Sequence, residues 1–168
     1  MGEITYIGIG SNLNNPKQQV TDAITELSQL PDSRLLTQSS LYLSPPMGPQ
    51  NQAHYINAVV KLRSQLSAIE LLEQLQSIEN SHERVRKTDR WGARTLDLDL
   101  ILYGNHVIDE PRLYVPHYGM KQRSFVLVPL AEIEPELILP DGSRLTALIT
   151  KLTTPATQHS GNQGIQKL

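Results

Sequence analysis

The stretch TLDLDLILY, residues 95–103, alternates with a period of two, and that period describes a strand buried on one face. Leu96, Leu98 and Leu100 point one way, into a core. Asp97 and Asp99 point the other way together, about 6.5–7 Å apart along the chain. Two neighbouring carboxylates repel each other, and a cation between or near them relieves that cost. Hard oxygen donors in a chain without cysteine favour magnesium, which completes its coordination with water and phosphate oxygens. Taken alone, such a pair is more often just the solvated acidic face of a half-buried strand.

The rest of the chain supplies that strand with partners. Residues 4–10 read as a first strand, closed by Gly10-Ser11-Asn12. A helix follows from Pro16, with Val20, Ala23, Ile24, Leu27 and Leu30 on one stripe. Residues 35–43 read as a second strand, and SPPMGPQNQ after it as a loop. Residues 54–63 form a third strand, with Ile56, Ala58, Val60 and Leu62 on one face and Tyr55, Asn57, Val59 and Lys61 on the other. Ser67 and Glu70 make a capping box that opens a second helix, whose buried stripe is Leu71, Leu72, Leu75 and Ile78.

The order βαββαβ predicts an α+β fold with a ferredoxin-like core. A C-terminal extension of short strands and helices follows, with helices over Phe125–Ile133 and around Leu145–Leu152. At 168 residues and 18.8 kDa this is one domain, 1–152, and the polar tail 153–168 is expected to be disordered.

Charge narrows the function. A net charge of −2 and a pI near 6.2 argue against a nucleic-acid or membrane partner. The absence of cysteine excludes disulfides and thiolate metal sites. The N-terminus reads as neither signal peptide nor membrane span, so a cytoplasmic protein is expected. The basic residues are not spread evenly: Arg84, Arg86, Lys87, Arg90 and Arg94 are a third of the 15 lysines and arginines. A second basic group, Arg112, His117, Lys121 and Arg123, follows the Asp97–Asp99 strand.

Arginines fork onto phosphate oxygens, and magnesium neutralises the same charges, so the two together describe a polyphosphate site. Trp91, Phe125 and Tyr55 are either packing residues or faces for a flat ligand. Gly8-Ile9-Gly10-Ser11 lacks the third glycine of a dinucleotide fingerprint, and no P-loop occurs. His54, His82, His106 and His159 are scattered and read as surface residues.

RWGARTLDLDLILYG, VPHYGMKQRSFVLVPL and SPPMGPQNQAHYINAVV together resemble the hydroxymethyldihydropterin pyrophosphokinase family of folate biosynthesis. The resemblance runs from the first strand to about residue 150. It implies a ferredoxin-like fold and transfer of the β,γ-diphosphate of ATP to the hydroxymethyl group of a reduced pterin, releasing AMP. It also implies two magnesium ions on Asp97 and Asp99, and Arg84 and Arg94 as catalytic residues steadying the transferred group. Arg86 and Trp91 would hold ATP and close the site, and Arg94 and Trp91 would also meet the nucleotide and the pterin respectively. Gln76, Glu79, Leu100, Arg112, His117, Tyr118 and Arg123 match nucleotide contacts.

Tyr55 and Phe125 match the rings that sandwich the pterin, Asn57 a reader of its edge, and Ser44, Pro45, Met47 and Gly48 its lining loop. The family is usually monomeric or weakly associated, and loops 44–53 and 82–94 are expected to close after ATP binds. Ala93, Ser44, Met47 and Tyr114 depart from common family residues, and Tyr114 leaves one hydroxyl contact to the nucleotide open. Two other readings share part of the pattern. A magnesium enzyme moving a nucleotidyl or single phosphoryl group would keep the acidic pair, and a ferredoxin-like RNA-binding module would keep the fold and the basic loop.

Overall fold

A computed structural model of the chain describes residues 2–45, 53–83, 95–152 and 164–168. The elements are β1 (Glu3–Ser11), α1 (Pro16–Leu27), β2 (Ser33–Gln38), β3 (Tyr42–Ser44), β4 (Tyr55–Ser64), α2 (Ala68–Glu83) and β5 (Asp97–Tyr103). After these come β6 (Ile108–Glu110), β7 (Leu113–Val115), a short 3-10 turn (Met120–Gln122), α3 (Ser124–Ile133), α4 (Leu145–Leu152) and β8 (Gln166–Lys167). Local chemistry sets the helix starts. Asn14 and Asn15 take left-handed φ of 58° and 65°, and Pro16 then opens α1 with φ already suited to a helix. At α2 the Ser67 N–H donates to Glu70 Oε1 at 2.8 Å while the Glu70 N–H donates to Ser67 Oγ at 3.1 Å, closing the capping box.

The large sheet is antiparallel, in the order β5-β1-β4-β3-β8, with β2 also pairing β4; β6 and β7 form a separate hairpin. One face packs on α1 and α2 through Ile7, Ile9, Val20, Leu27, Val60, Leu62, Leu71, Leu75, Leu98 and Leu100. Full burial of each leucine contributes about 1.5–3 kcal/mol. The other face packs on α3 and α4 over part of its area, through Tyr6, Val59, Ile101, Leu102, Leu127, Leu130 and Leu145. A register shift against β1 between Tyr6 and Ile7 explains why consecutive residues, Ile101 and Leu102, both reach this second core. Among the described residues no helix is long and apolar enough to cross a membrane.

Three expectations change. The single strand over 35–43 is two strands, because Ser39 interrupts it: its N–H donates to the Val59 carbonyl and its Oγ accepts from the Val59 N–H at 3.0 Å. This side chain stands in for a ladder bond and turns the chain. His82 is not a surface residue. Its side chain is 9% exposed, with Nε2 2.5 Å from Glu26 Oε1 and Nδ1 against Gln19 Oε1, so it joins α2 to α1. The end of the tail is ordered, since β8 pairs with β3 and Ile165 is buried. Residues 153–163 lie outside the described residues.

Candidate active site

Strand register builds the site. Gly10 lies opposite Asn57 on β4 and opposite Asp97 on β5, and Gly8 lies opposite Val59 and Asp99. Residues directly opposite in antiparallel strands share a face, so two cross-strand rows run Asn57–Gly10–Asp97 and Val59–Gly8–Asp99. Both glycines are needed for a flat floor. A methyl group at Gly10 would lie 3.0 Å from Asn57 Nδ2 and 3.6 Å from Tyr55 Cδ1, and one at Gly8 would lie 3.0 Å from Ile101 Cδ1. As a sequence motif these glycines suggest only an incomplete dinucleotide fingerprint. The signal that marks them is their spacing of two, in step with Asp97 and Asp99.

Asp97 and Asp99 are half-buried and share this face, as the alternation predicts. His117, on the loop after β7, brings Nε2 to 3.8 Å from Asp99 Oδ1. The Gly119 N–H donates to His117 Nδ1 at 3.1 Å, so Nδ1 is the acceptor nitrogen and the proton of the neutral ring sits on Nε2, toward Asp99. Burial holds the His117 pKa below its ordinary value; Asp99 pulls it up and Arg123 pushes it down again. The His117 ring stacks on Tyr118 at 4.9 Å between centroids, and the Arg123 guanidinium lies 5.8 Å from the rings of both Tyr118 and Phe125. Tyr118 is 76% exposed, which leaves a broad aromatic and cationic surface beside the carboxylates.

The outer edge of β5 carries the α2 side of the site. The Leu98 N–H points away from β1 and donates to Glu79 Oε2 at 2.7 Å. Strand alternation turns the main-chain groups of Leu100 the same way. The Leu100 side chain itself is buried in the α1–α2 core, so any ligand contact it makes is through its backbone. Gln76 is exposed on α2, and Arg112 in the β6–β7 turn reaches Glu73 at 3.4 Å.

On the opposite flank, Ser44 pairs with Tyr55 across β3 and β4, and its Oγ donates to Asn57 Oδ1 at 2.5 Å. That bond occupies the carboxamide oxygen and turns Nδ2 toward Gly10. Phe125 lies in the first turn of α3, which packs on β4 and β3. Pro45 follows β3 directly, while Met47, Gly48, Arg84, Arg86, Trp91, Ala93 and Arg94 lie outside the described residues. The structure thus gathers Asp97, Asp99, His117, Tyr118, Arg123 and Phe125 by direct contact or register, and Ser44, Tyr55 and Asn57 across the glycine floor. Tyr114 is exposed on β7, opposite Asp109.

Same-face carboxylates beside arginine and stacked rings define a class, an enzyme that moves phosphate groups. Comparison with known proteins names the member of that class. Residues 6–135 match the family described as 7,8-dihydro-6-hydroxymethylpterin-pyrophosphokinase (HPPK), and the chain belongs to that family. It is 51% identical over 144 residues to the 2-amino-4-hydroxy-6-hydroxymethyldihydropteridine pyrophosphokinase of Haemophilus influenzae, covering 86% of this chain and 89% of that one. The enzyme of the same name from Pseudomonas aeruginosa is 47% identical over 86% of this chain and 88% of its own length. A crystal structure of Plasmodium falciparum HPPK-DHPS, wild type, with pterin and p-hydroxybenzoate shares the fold at a TM-score of 0.78 and 12% identity. That match covers 99% of this chain and 46% of the solved one, so this chain spans about half its length.

Proposed function

We propose that the glycine-floored face is where this pyrophosphokinase carries out its reaction, with the pterin on the Asn57 side and the ATP phosphates on the Asp97–Asp99 side. As a member of its family the chain transfers the β,γ-diphosphate of ATP to the hydroxymethyl group of 6-hydroxymethyl-7,8-dihydropterin, giving the pterin diphosphate and AMP, in folate biosynthesis. The observation that carries the placement is the row Asn57–Gly10–Asp97. It sets an amide donor and a carboxylate in register across a floor with no side chain between them. The strand order β5-β1-β4, with β2 and β3 beyond β4, supports a ferredoxin-like core.

The donor set suits magnesium: oxygen ligands only, on adjacent same-face positions of a rigid strand, open enough on Asp99 to share the ion with water and phosphate. Two ions held by Asp97 and Asp99 would neutralise charge on the triphosphate and ease loss of the proton from the attacking hydroxyl. The chain's own residues supply the rest. Tyr55 and Phe125 clamp the faces of the pterin, and Asn57, fixed by Ser44, reads its edge with Nδ2. Pro45, Met47 and Gly48 line the pocket.

Glu79, Gln76 and the outward backbone of Leu100 hold the base of ATP. Arg112, His117, Tyr118 and Arg123 hold its sugar and phosphates, with the Nε2 proton of His117 facing Asp99. Arg86 binds the nucleotide, Arg84 and Arg94 steady the charge on the transferring group, and Trp91 closes over both substrates. In-line attack by the pterin hydroxyl on the β-phosphorus then depends on positioning and charge neutralisation. The protein works as a cytoplasmic monomer.

The test is an incubation with ATP, magnesium and the reduced hydroxymethylpterin, followed by nucleotide analysis. AMP formed in step with the pterin diphosphate is the expected result. ADP or pyrophosphate in its place would overturn the mechanism.

A further inference from the structure

Residues 164–168 lie against the flank assigned to the pterin. Gln166 and Lys167 pair with Leu43 and Tyr42 of β3, and the Leu168 N–H donates to the Leu41 carbonyl at 2.9 Å. Ile165 is buried, and Lys167 Nζ lies 3.6 Å from Glu132 Oε2 on α3. Gly164 takes a left-handed φ of 74°, and a methyl group there would lie 3.3 Å from both Cδ and Cγ of Pro45. The C-terminal strand therefore pairs with Tyr42 and Leu43 and lies against Pro45, the residues on either side of Ser44 where the chain leaves β3.

β3 is only three residues long, with β4 on one edge and β8 on the other. So short a strand has few ladder bonds to hold its position. Its last residue, Ser44, orients Asn57 through the 2.5 Å bond to Oδ1. A small displacement of β3 is thus passed directly to the carboxamide.

We propose that residues 164–168 are a positioning strand for the pterin site, holding Tyr42, Leu43 and Pro45 on either side of Ser44 and through Ser44 setting the Asn57 carboxamide. The strand lies at the opposite end of the sheet from β5, which carries Asp97 and Asp99, so its effect is selective for one substrate. This inference rests on the placement of the pterin beside Asn57.

The experiment compares the wild-type chain with a deletion of residues 164–168, with Ile165→Asn and Ile165→Val, and with Asn57→Ala. Both KM values and kcat are measured, and circular dichroism checks folding. Expected for the deletion is a pterin KM raised about tenfold, with ATP KM and kcat within about twofold of wild type. Ile165→Asn reproduces that split and Ile165→Val restores the wild-type value.

A deletion that leaves pterin KM unchanged, or that weakens both substrates and kcat alike, overturns the proposal. If the deleted chain does not fold, the Ile165→Asn and Ile165→Val pair decides by the same split. Asn57→Ala separates the two readings. A raised pterin KM there with no selective effect from the strand variants sinks the strand alone, whereas an unchanged one sinks the pterin placement and the strand with it.

Discussion

Gly10→Ala probes the floor of the site with a single methyl group. Its β-carbon would arrive 3.0 Å from Asn57 Nδ2, a contact that one of the two must relieve by a few tenths of an ångström. Asn57 is poorly placed to yield: it is 4% exposed and its Oδ1 is held at 2.5 Å by Ser44 Oγ. Overpacking of this kind costs about 1–3 kcal/mol. Removing a glycine from the unfolded chain offsets roughly 0.4–1 kcal/mol of that. The net is a destabilisation near 1.5 kcal/mol, which lowers the Tm of a domain this size by about 3–6 °C. A displaced carboxamide loses one neutral hydrogen bond to the pterin, about 0.5–1.5 kcal/mol, or a two- to twelvefold rise in pterin KM. The ATP KM stays within about twofold. Gly8→Ala is the comparison, because its methyl group meets the end of the Ile101 side chain at 3.0 Å, touches the Asp99 β-carbon at an ordinary 3.9 Å, and leaves Asn57 alone. It should lower Tm without moving the pterin KM. Steady-state kinetics with thermal melts of both variants decide the matter. A Gly10→Ala enzyme with wild-type pterin KM, or one whose two KM values rise together, refutes the reasoning.

Asp97→Ala and Asp99→Ala should each lower AMP formation by about three orders of magnitude or more, and chelation of magnesium should do the same to the wild type; near-normal turnover in either variant removes the metal assignment. Glu132 is pushed up by burial, but hydrogen bonds from Ser40 and Tyr42 and the charge of Lys167 outweigh this and hold it below the ordinary 4.5. Its contribution is therefore present above that pH and lost as pH falls through the lower folded value. Glu132→Ala should cost about 1.5–3 kcal/mol at neutral pH, with the gap to wild type narrowing below pH 4.5 in urea titrations; a gap that does not change with pH argues against it. His82→Ala removes the link from α2 to Gln19 and Glu26 and should lower stability by about 1–2 kcal/mol, read by the same titrations. A variant as stable as wild type would show that link to be incidental.

The parts legible in the sequence were those governed by a period. The alternation around Asp97 and Asp99 and that of Tyr55, Asn57, Val59 and Lys61 both place residues on the face the structure gives them, because side-chain direction in a strand follows from position alone. The Ser67–Glu70 box is likewise local. What stayed hidden depends on partners far along the chain. The burial of His82 needs α1 beside α2, and the break at Ser39 needs the Val59 backbone beside it. The strand at 166–167 is too short and polar to announce itself, and it exists because β3 offers an edge. The floor role of Gly8 and Gly10 required the register between β1 and its two neighbours, which no single segment contains.

That register also explains why the site lies where it does. Tyr6, opposite Lys61 and Leu102, lies on the same face as Gly8 and Gly10 but under α3. One step along, the row becomes Val59, Gly8 and Asp99, and the next is Asn57, Gly10 and Asp97. β1 and β5 therefore change from large apolar to small or acidic residues at the same level of the sheet, and β4 follows one row later, where Val59 gives way to Asn57. The covered half is fastened from above: the Tyr6 hydroxyl donates to Glu134 Oε1 at 3.0 Å and Lys61 Nζ meets the same oxygen at 2.6 Å, just beyond the end of α3. Within α3, Glu132 accepts from the Ser40 N–H and hydroxyl and from the Tyr42 hydroxyl. One helix thus carries Phe125 at its start and is anchored near its end to both β3 and β4, the strands that carry Ser44, Tyr55 and Asn57. The ring proposed to cover the pterin and the groups proposed to hold its edge are held to each other by this helix, independently of the loops that complete the site.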